Sequence, residues 1–340
     1  MNALSSPTPP PPAVTGPLRW LLRLFLRLGV LPFLLVSAIV VFAVLSDQFL
    51  TAQNMINLLR QSVYLVLVSL GQMLALITGG FDLAVGTTIA ITSVVSAMTM
   101  LALPEMAPAA TIAIGCAAGI LAALAIGLVN GLGIAYAGVS PFIMTLGVQS
   151  IGFGLALYLT GGVPVSGLPD LFSDTLGFGS LLGLPVPVLI TALVAIALYL
   201  VMTRTAIGTY LMAVGGNAKA AQLSGIHARY MLMLAYVVCA LTAAIAGLLL
   251  TARVETGEAN LGGTIALESI AACVIAGVSL RGGVGRVENV VLGAIFIGLV
   301  QNGMNLANVG SYMQMVVLGA LLILAVIADA LRHRLSIISG

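Results

Sequence analysis

The chain has 340 residues, of which 61% are hydrophobic and 6% charged, with a formal net charge of +2. A soluble domain carries roughly 25% charged residues, so composition excludes a soluble globular fold, and so small a net charge gives nucleic acid nothing to bind. Cys116, Cys239 and Cys273 lie in apolar runs without metal-ligand or redox spacing and read as small core residues.

Residues 1–17 are rich in Pro, Ser and Thr and are expected to form a disordered cytoplasmic tail. Arg19, Arg23 and Arg27 then recur every fourth residue, which predicts a basic interfacial helix over 18–27 or a simple topology anchor. No small-residue cleavage site follows, so this is not read as a cleavable signal. A spanning helix needs about 20 apolar residues. Residues 28–330 supply ten such stretches, near 28–46, 61–79, 85–103, 108–135, 140–160, 185–203, 229–252, 264–280, 288–307 and 311–330. The segment Phe49–Arg60 is amphipathic and is expected in the membrane interface, and the fourth stretch is expected to break or bend at Asn130-Gly131. The loop 161–184 carries Asp170 and Asp174 but no cation, which places it outside. Residues 331–340 form a second cytoplasmic tail. With both termini cytoplasmic, only Arg60 and Arg253 of the 12 cationic residues fall outside, which satisfies the positive-inside rule.

Thr88–Ser93 resembles Thr264–Ser269, and Asn130-Gly131 matches Asn302-Gly303. Both offsets are close to half the chain. Five stretches separate equivalent positions, so the halves have opposite orientation. The fold expected is an all-α membrane protein of about ten transmembrane helices in two inverted five-helix halves, with the pathway at their interface.

Ionisable groups within a membrane are costly and mark function or structure by necessity. Asp82, in Gly79-Gly80-Phe81-Asp82-Leu83-Ala84-Val85-Gly86, either caps the next helix or faces a gate. Glu268 lies one turn into the eighth stretch and either faces the pathway or bonds to a neighbouring helix. Gln72, Asn130, Gln149, Gln301, Asn302 and Asn305 are in-span amides that either bond neighbouring helices or pass a hydroxylated cargo. Asp82, Asn130, Gln149, Glu268, Asn302 and Asn305 are therefore candidates for the pathway and its gates. No relay of Asp, Glu and His crosses the spans, which argues against ion coupling, although a motor-independent carrier or channel stays open. No hydrolase or zinc motif occurs, so the chain is not read as an enzyme.

The only lysine, Lys219, sits in the polar cytoplasmic loop 204–229. Alanines flank it, so no phosphate-binding loop of the Gly-Lys-Ser/Thr type exists and the chain binds no cofactor of its own. Asn217 is placed to cap a short helix containing Ala220-Ala221, with Gly225 as its C-terminal stop. Such a small-residue helix suits docking in a partner's groove.

Gly208, Ala213-x-Gly215-x-Asn217-x-x-Ala220-Ala221-x-x-x-Gly225-Ile226 resembles the coupling loop of ribose-type ABC sugar importer permeases. Gly79–Gly86, Gly138-Val-Ser-Pro141-Phe-Ile-x-Thr145-Leu-Gly147 and Gly282-Gly283-x-Gly285 extend the resemblance over Asn54 to Ala330. The chain departs from that pattern at Phe81, Ala84 and Thr209, where the family usually has Ile, Ser and often a basic residue. The resemblance implies a type II importer-like subunit in a bacterial inner membrane. It implies three kinds of partner: a cytoplasmic tandem-cassette ATPase carrying ATP-Mg, a periplasmic or extracellular sugar-binding protein, and a second permease copy or paralogue. Gly208, Gly215, Asn217, Ala220, Ala221 and Gly225 would couple to the ATPase. The expected cargo is a small uncharged solute, a monosaccharide first, with a polyol, nucleoside or sugar-derived signal as alternatives.

Overall fold

The computed structural model describes residues 31–338, with side chains described to residue 327. The tail expected at 1–17, the basic helix expected at 18–27 and the side chains of the C-terminal tail lie outside the described residues. A helix stands at each of the ten predicted stretches: α1 (Leu31–Leu45), α2 (Ala52–Ile77), α3 (Val85–Leu101), α4 (Pro108–Ala135), α5 (Pro141–Thr160), α6 (Val186–Arg204), α9 (Ala228–Val254), α10 (Ile265–Ile275), α11 (Val287–Leu306) and α12 (Ser311–Ile338). Two more, α7 (Ala206–Gly216) and α8 (Ala218–Leu223), make up the polar loop. Among the described residues, six helices (α2, α4, α5, α6, α9 and α11) are long and apolar enough to cross a membrane. The fold is helical apart from a small hairpin, Ser180–Leu181 with Leu184–Pro185, and a bridge between Val165 and Gly257. That bridge ties the loop after α5 to the one after α9.

Helix starts follow local chemistry. Proline occupies the first turn of α4, α5 and α6, where its missing N–H costs nothing. The Thr51 hydroxyl caps α2 by accepting from Asn54 N–H at 3.3 Å.

The core is built around α2 and α9, which pack on each other. Helix α2 also packs on α10 and α11, while α9 packs on α3 and α4. Outside this pair, α3 packs on α4 and α5, and α10 packs on α11 and α12. Nearly all of α2 from Ser62 to Ile77 is buried, whereas α5 and α12 expose large apolar side chains such as Ile143, Ile151, Tyr158, Val316 and Ile323.

Three expectations are corrected. The amphipathic segment 49–60, expected apart from the spanning stretch, is continuous with it. Residues 52–60 are the first turns of α2, and Asn54 among them is held inside the protein, its Nδ2 donating to Phe49 C=O at 2.8 Å and to Asn302 Oδ1 at 2.9 Å, while Gln53 is exposed. Helix α4 does not break at Asn130-Gly131, and α11 likewise continues through Asn302-Gly303. These glycines serve close packing instead. A Cβ on Gly131 would stand 3.0 Å from Met233 Cα, and one on Gly303 would overlap the Phe42 ring. Association in lipid relies on such small residues because lipid tails are as apolar as leucine. The predicted stretch 264–280 is helical only over the 11 residues of α10. At 1.5 Å per residue that is about 16 Å, roughly half a bilayer core. A turn at Gly277 (φ 85°) ends it, with Val278 N–H returning to Cys273 C=O at 3.0 Å.

Candidate functional site

The turn between α2 and α3 carries the first cluster. Asp82 is 1% exposed. Its Oδ1 accepts from Ala84 N–H at 2.8 Å, an Asx turn that leads into α3, whose N-cap Ala84 takes no side-chain cap bond. Asn130 Nδ2 of α4 reaches the same carboxylate at 3.3 and 3.5 Å. The Gln72 amide, turned with its oxygen toward Asp82 N–H and its nitrogen toward Asp82 C=O, bonds the Asp82 backbone at 3.1 and 3.0 Å. Asp82 thus joins α2, α3 and α4 at one point. Asn130 Oδ1 and the Tyr236 hydroxyl, both buried, have no hydrogen-bond partner among the described residues.

Asn302 lies elsewhere and does other work. It exchanges two amide hydrogen bonds with Asn54, at 2.9 and 3.0 Å, locking α11 to the start of α2. The two Asn-Gly pairs that match in sequence therefore bond to different kinds of partner, a carboxylate for Asn130 and an amide for Asn302.

Glu268 stands on the opposite half of the chain with its carboxylate held from two sides. Its Oε1 accepts from Thr264 Oγ1 at 2.7 Å, and its Oε2 from Gln301 Nε2 at 3.1 Å. One turn beyond Gln301, exposed Asn305 accepts from Gln314 Nε2 of α12 at 2.7 Å. Gln149 of α5 is half-buried and stands apart from both clusters, with no hydrogen bond from its side chain among the described residues. Thr264, Gln314 and Tyr236 were not singled out as site residues in the sequence. Gln314 was findable as an amide in an apolar run, whereas Tyr236 carries no sequence signal.

The cytoplasmic loop folds as two short helices. Asn217 Oδ1 accepts from Ala220 N–H at 3.0 Å, capping α8. Gly225 (φ 85°) closes it, with Ile226 N–H to Ala221 C=O at 3.0 Å and Gly225 N–H to Gln222 C=O at 3.1 Å. That pair of bonds is the Schellman stop, and its left-handed residue is why glycine is needed. Gly208 and Gly215 seat α7 on the body. A side chain on Gly208 would enter the Met202 carbonyl, and one on Gly215 would enter the Ile77 carbonyl at the end of α2. Ala221 is 5% exposed and faces the hydrophobic core, so it belongs to the seat and not to the free surface. The surface offered outward is Lys219, Ala220, Gln222 and Leu223, the last 83% exposed. Leu223 was missed in the sequence, where it reads as one more apolar residue. Beside this surface lies a groove of about 670 Å³ lined by Tyr136, Tyr210, Ser224, Gly225, Ile226, His227, Tyr230 and Met231. The Arg229 guanidinium sits 5.9 Å from the Tyr136 ring centre.

The chain is 35% identical over 300 residues to the D-allose transport system permease protein AlsC of Escherichia coli (strain K12), covering 88% of this chain and 90% of the relative. It is 36% identical over 303 residues to the ribose import permease protein RbsC of the same strain, covering 87% and 91%. It is 35% identical over 316 residues to the galactose/methyl galactoside import permease protein MglC, also of that strain, covering 88% and 92%. No solved structure matches significantly. Residues 54–326 match the family model described as branched-chain amino acid transport system / permease component, a span from the buried Asn54 to the exposed face of α12. The chain belongs to that family: it is an integral membrane transport component and not an enzyme.

Proposed function

We propose that this chain is the permease subunit of an ATP-driven ABC importer that moves a monosaccharide across a bacterial inner membrane by alternating access. The capped helix α8 carries the proposal. It is held by its own cap and stop, seated through Gly208, Gly215 and Ala221, and turned outward through Lys219, Ala220 and Leu223. A seated, outward-facing helix transmits a rigid-body push from a tandem-cassette ATPase to the end of α2, where Ile77 C=O accepts from Gly283 N–H at 2.8 Å. Asp82 lies five residues further on, so the push arrives at the turn that joins α2, α3 and α4. The cargo class follows from relatives named for allose, ribose and galactose.

The chain crosses the membrane ten times in two inverted halves, with both termini cytoplasmic. The packing pattern supports this reading. Exchanging α2, α3, α4 and α5 for α9, α10, α11 and α12 maps the neighbours of α9 onto those of α2, and the α3 contacts onto the α10 contacts. The apolar faces of α5 and α12 suit a second permease copy, and a sugar-binding protein delivers cargo on the outer side. The test is ATP hydrolysis by the reconstituted complex of permease, ATPase and binding protein. Stimulation by a sugar-loaded binding protein is expected. Hydrolysis indifferent to the permease would overturn the assignment.

A further inference from the structure

Most in-span polar groups of this chain are tied into helix packing, as with Asp82 to Asn130 and Asn54 to Asn302. One set is arranged differently. Thr264 and Glu268 are one turn apart on the start of α10, and Gln301 and Asn305 are one turn apart on the last part of α11. Gln314 follows in the first turn of α12. The bonds Thr264–Glu268 and Glu268–Gln301 join three of them, the bond Gln314–Asn305 joins the other two, and the helical turn from Gln301 to Asn305 sets the two groups in one polar strip. Unlike the Asp82 cluster, this strip is open in the single chain. Thr264 and Asn305 are exposed, and Glu268, Gln301 and Gln314 are half-buried. Its neighbours Leu267, Met313 and Met315 are exposed and apolar.

A carboxylate and three amides do not face hydrocarbon, where each unsatisfied polar group costs several kcal/mol. The strip therefore borders water or protein. Its hydrogen-bond inventory is unfinished in a particular way. Each Glu268 oxygen takes one bond and retains acceptor capacity, while Gln301 Oε1 and Asn305 Nδ2 have no partner among the described residues. One carboxylate, one amide acceptor and one amide donor in a row match the mixed donor and acceptor hydroxyls of a sugar. A hydroxyl donating to the carboxylate makes the stronger, charge-assisted bond.

We propose that Thr264, Glu268, Gln301, Asn305 and Gln314 form a monosaccharide subsite on the outer half of the pathway, in which Glu268 accepts a sugar hydroxyl and Gln301 positions its carboxylate. This rests on the importer reading above and assigns the part of the pathway that discriminates between sugars.

Two measurements test it in the complete complex reconstituted in liposomes. The first uses a cysteine-free background with Gln301→Cys or Asn305→Cys and a membrane-impermeant charged maleimide added from the side of the binding protein. Labelling at both positions is expected; no labelling while sugar uptake persists overturns the subsite alone, because the strip is then sealed against lipid or a second copy. The second compares uptake per folded complex of ribose, allose, galactose and their singly deoxygenated analogues. Glu268→Gln and Gln301→Leu are expected to reduce the preference for a parent sugar over one deoxy analogue about tenfold, the equivalent of losing one charge-assisted bond. A preference unchanged in both variants, with uptake lowered only in proportion to folded protein, makes the strip structural and overturns the proposal. A wild-type complex that labels as expected but moves none of these sugars overturns the monosaccharide reading instead.

Discussion

Gly215 and Gly216 are adjacent in sequence and are predicted to respond oppositely to alanine. A Cβ on Gly215 would penetrate the Ile77 carbonyl and come within 2.7 Å of Gly283 N. Both atoms are backbone and belong to one hydrogen bond, Gly283 N–H to Ile77 C=O at 2.8 Å, so neither can swing aside as a side chain would. Relief requires α7 to lift off the end of α2. Overpacking of this kind costs about 1–3 kcal/mol, and the hydrogen bond it breaks contributes about 1 kcal/mol. The sum is about 2–4 kcal/mol, and about 3 kcal/mol is roughly a hundredfold change in the fraction of molecules with α7 seated. A Cβ on Gly216 meets nothing within 4 Å, and the residue is exposed at the end of a helix. Gly216→Ala is therefore neutral or stabilising by about 0.5–1 kcal/mol. The assay is sugar-stimulated ATP hydrolysis by the reconstituted complex, together with the melting temperature of the solubilised permease. Gly215→Ala should melt lower and lose most stimulation while the ATPase alone is unaffected, and Gly216→Ala should match the wild type. Equal behaviour of the two variants would refute the claim that Gly215 is the seat through which the loop acts.

Other expected outcomes follow from the same geometry. Ala220→Arg and Leu223→Asp alter the exposed face of α8 and should abolish stimulated hydrolysis with an unchanged melting temperature, whereas Ala221→Arg forces a charge into the core and should lower the yield of folded permease; normal stimulation in Ala220→Arg and Leu223→Asp would move the docking surface elsewhere. Asp82→Leu leaves Ala84 N–H and Asn130 Nδ2 without their acceptor, at about 1–3 kcal/mol for each orphaned group, and should lower the melting temperature well below that of Asp82→Asn, which keeps an oxygen in the turn. Asn302→Leu strands Asn54 and should likewise act on stability, so uptake per folded complex should hold; a selective loss of uptake would return Asn302 to the pathway. Single cysteines at Asp174 and Lys219 should label from opposite sides of the membrane, and labelling from one side would break the ten-crossing arrangement.

The membrane class, the helix positions and the cap and stop of α8 are legible in the residues alone. Apolar blocks of spanning length stand wherever the structure has a long helix, because a backbone in lipid must satisfy its own polar groups. Asn217 and Gly225 at the ends of α8 were legible because a cap bonds to residues three to five positions away, so its partner lies within the local reading; Asp82, expected to cap α3, instead makes an Asx turn to Ala84 before the helix begins. Only the tertiary structure decided which polar groups meet and which apolar faces are inside. Asn54 and Asn302 are 248 positions apart, and nothing near either residue names the other. The segment 49–60 has the pattern of an interfacial helix because a half-buried helix against protein and one against headgroups expose the same alternation of faces. Ala221 and Ala220 are indistinguishable as letters, yet one is in the core and the other at the surface, because the face of so short a helix that meets the body is set by its packing and not by its own residues. The same ambiguity separates buried α2 from exposed α5: lipid is as apolar as a protein core, so hydropathy shows that a helix belongs in the membrane but not which of its faces meets another helix.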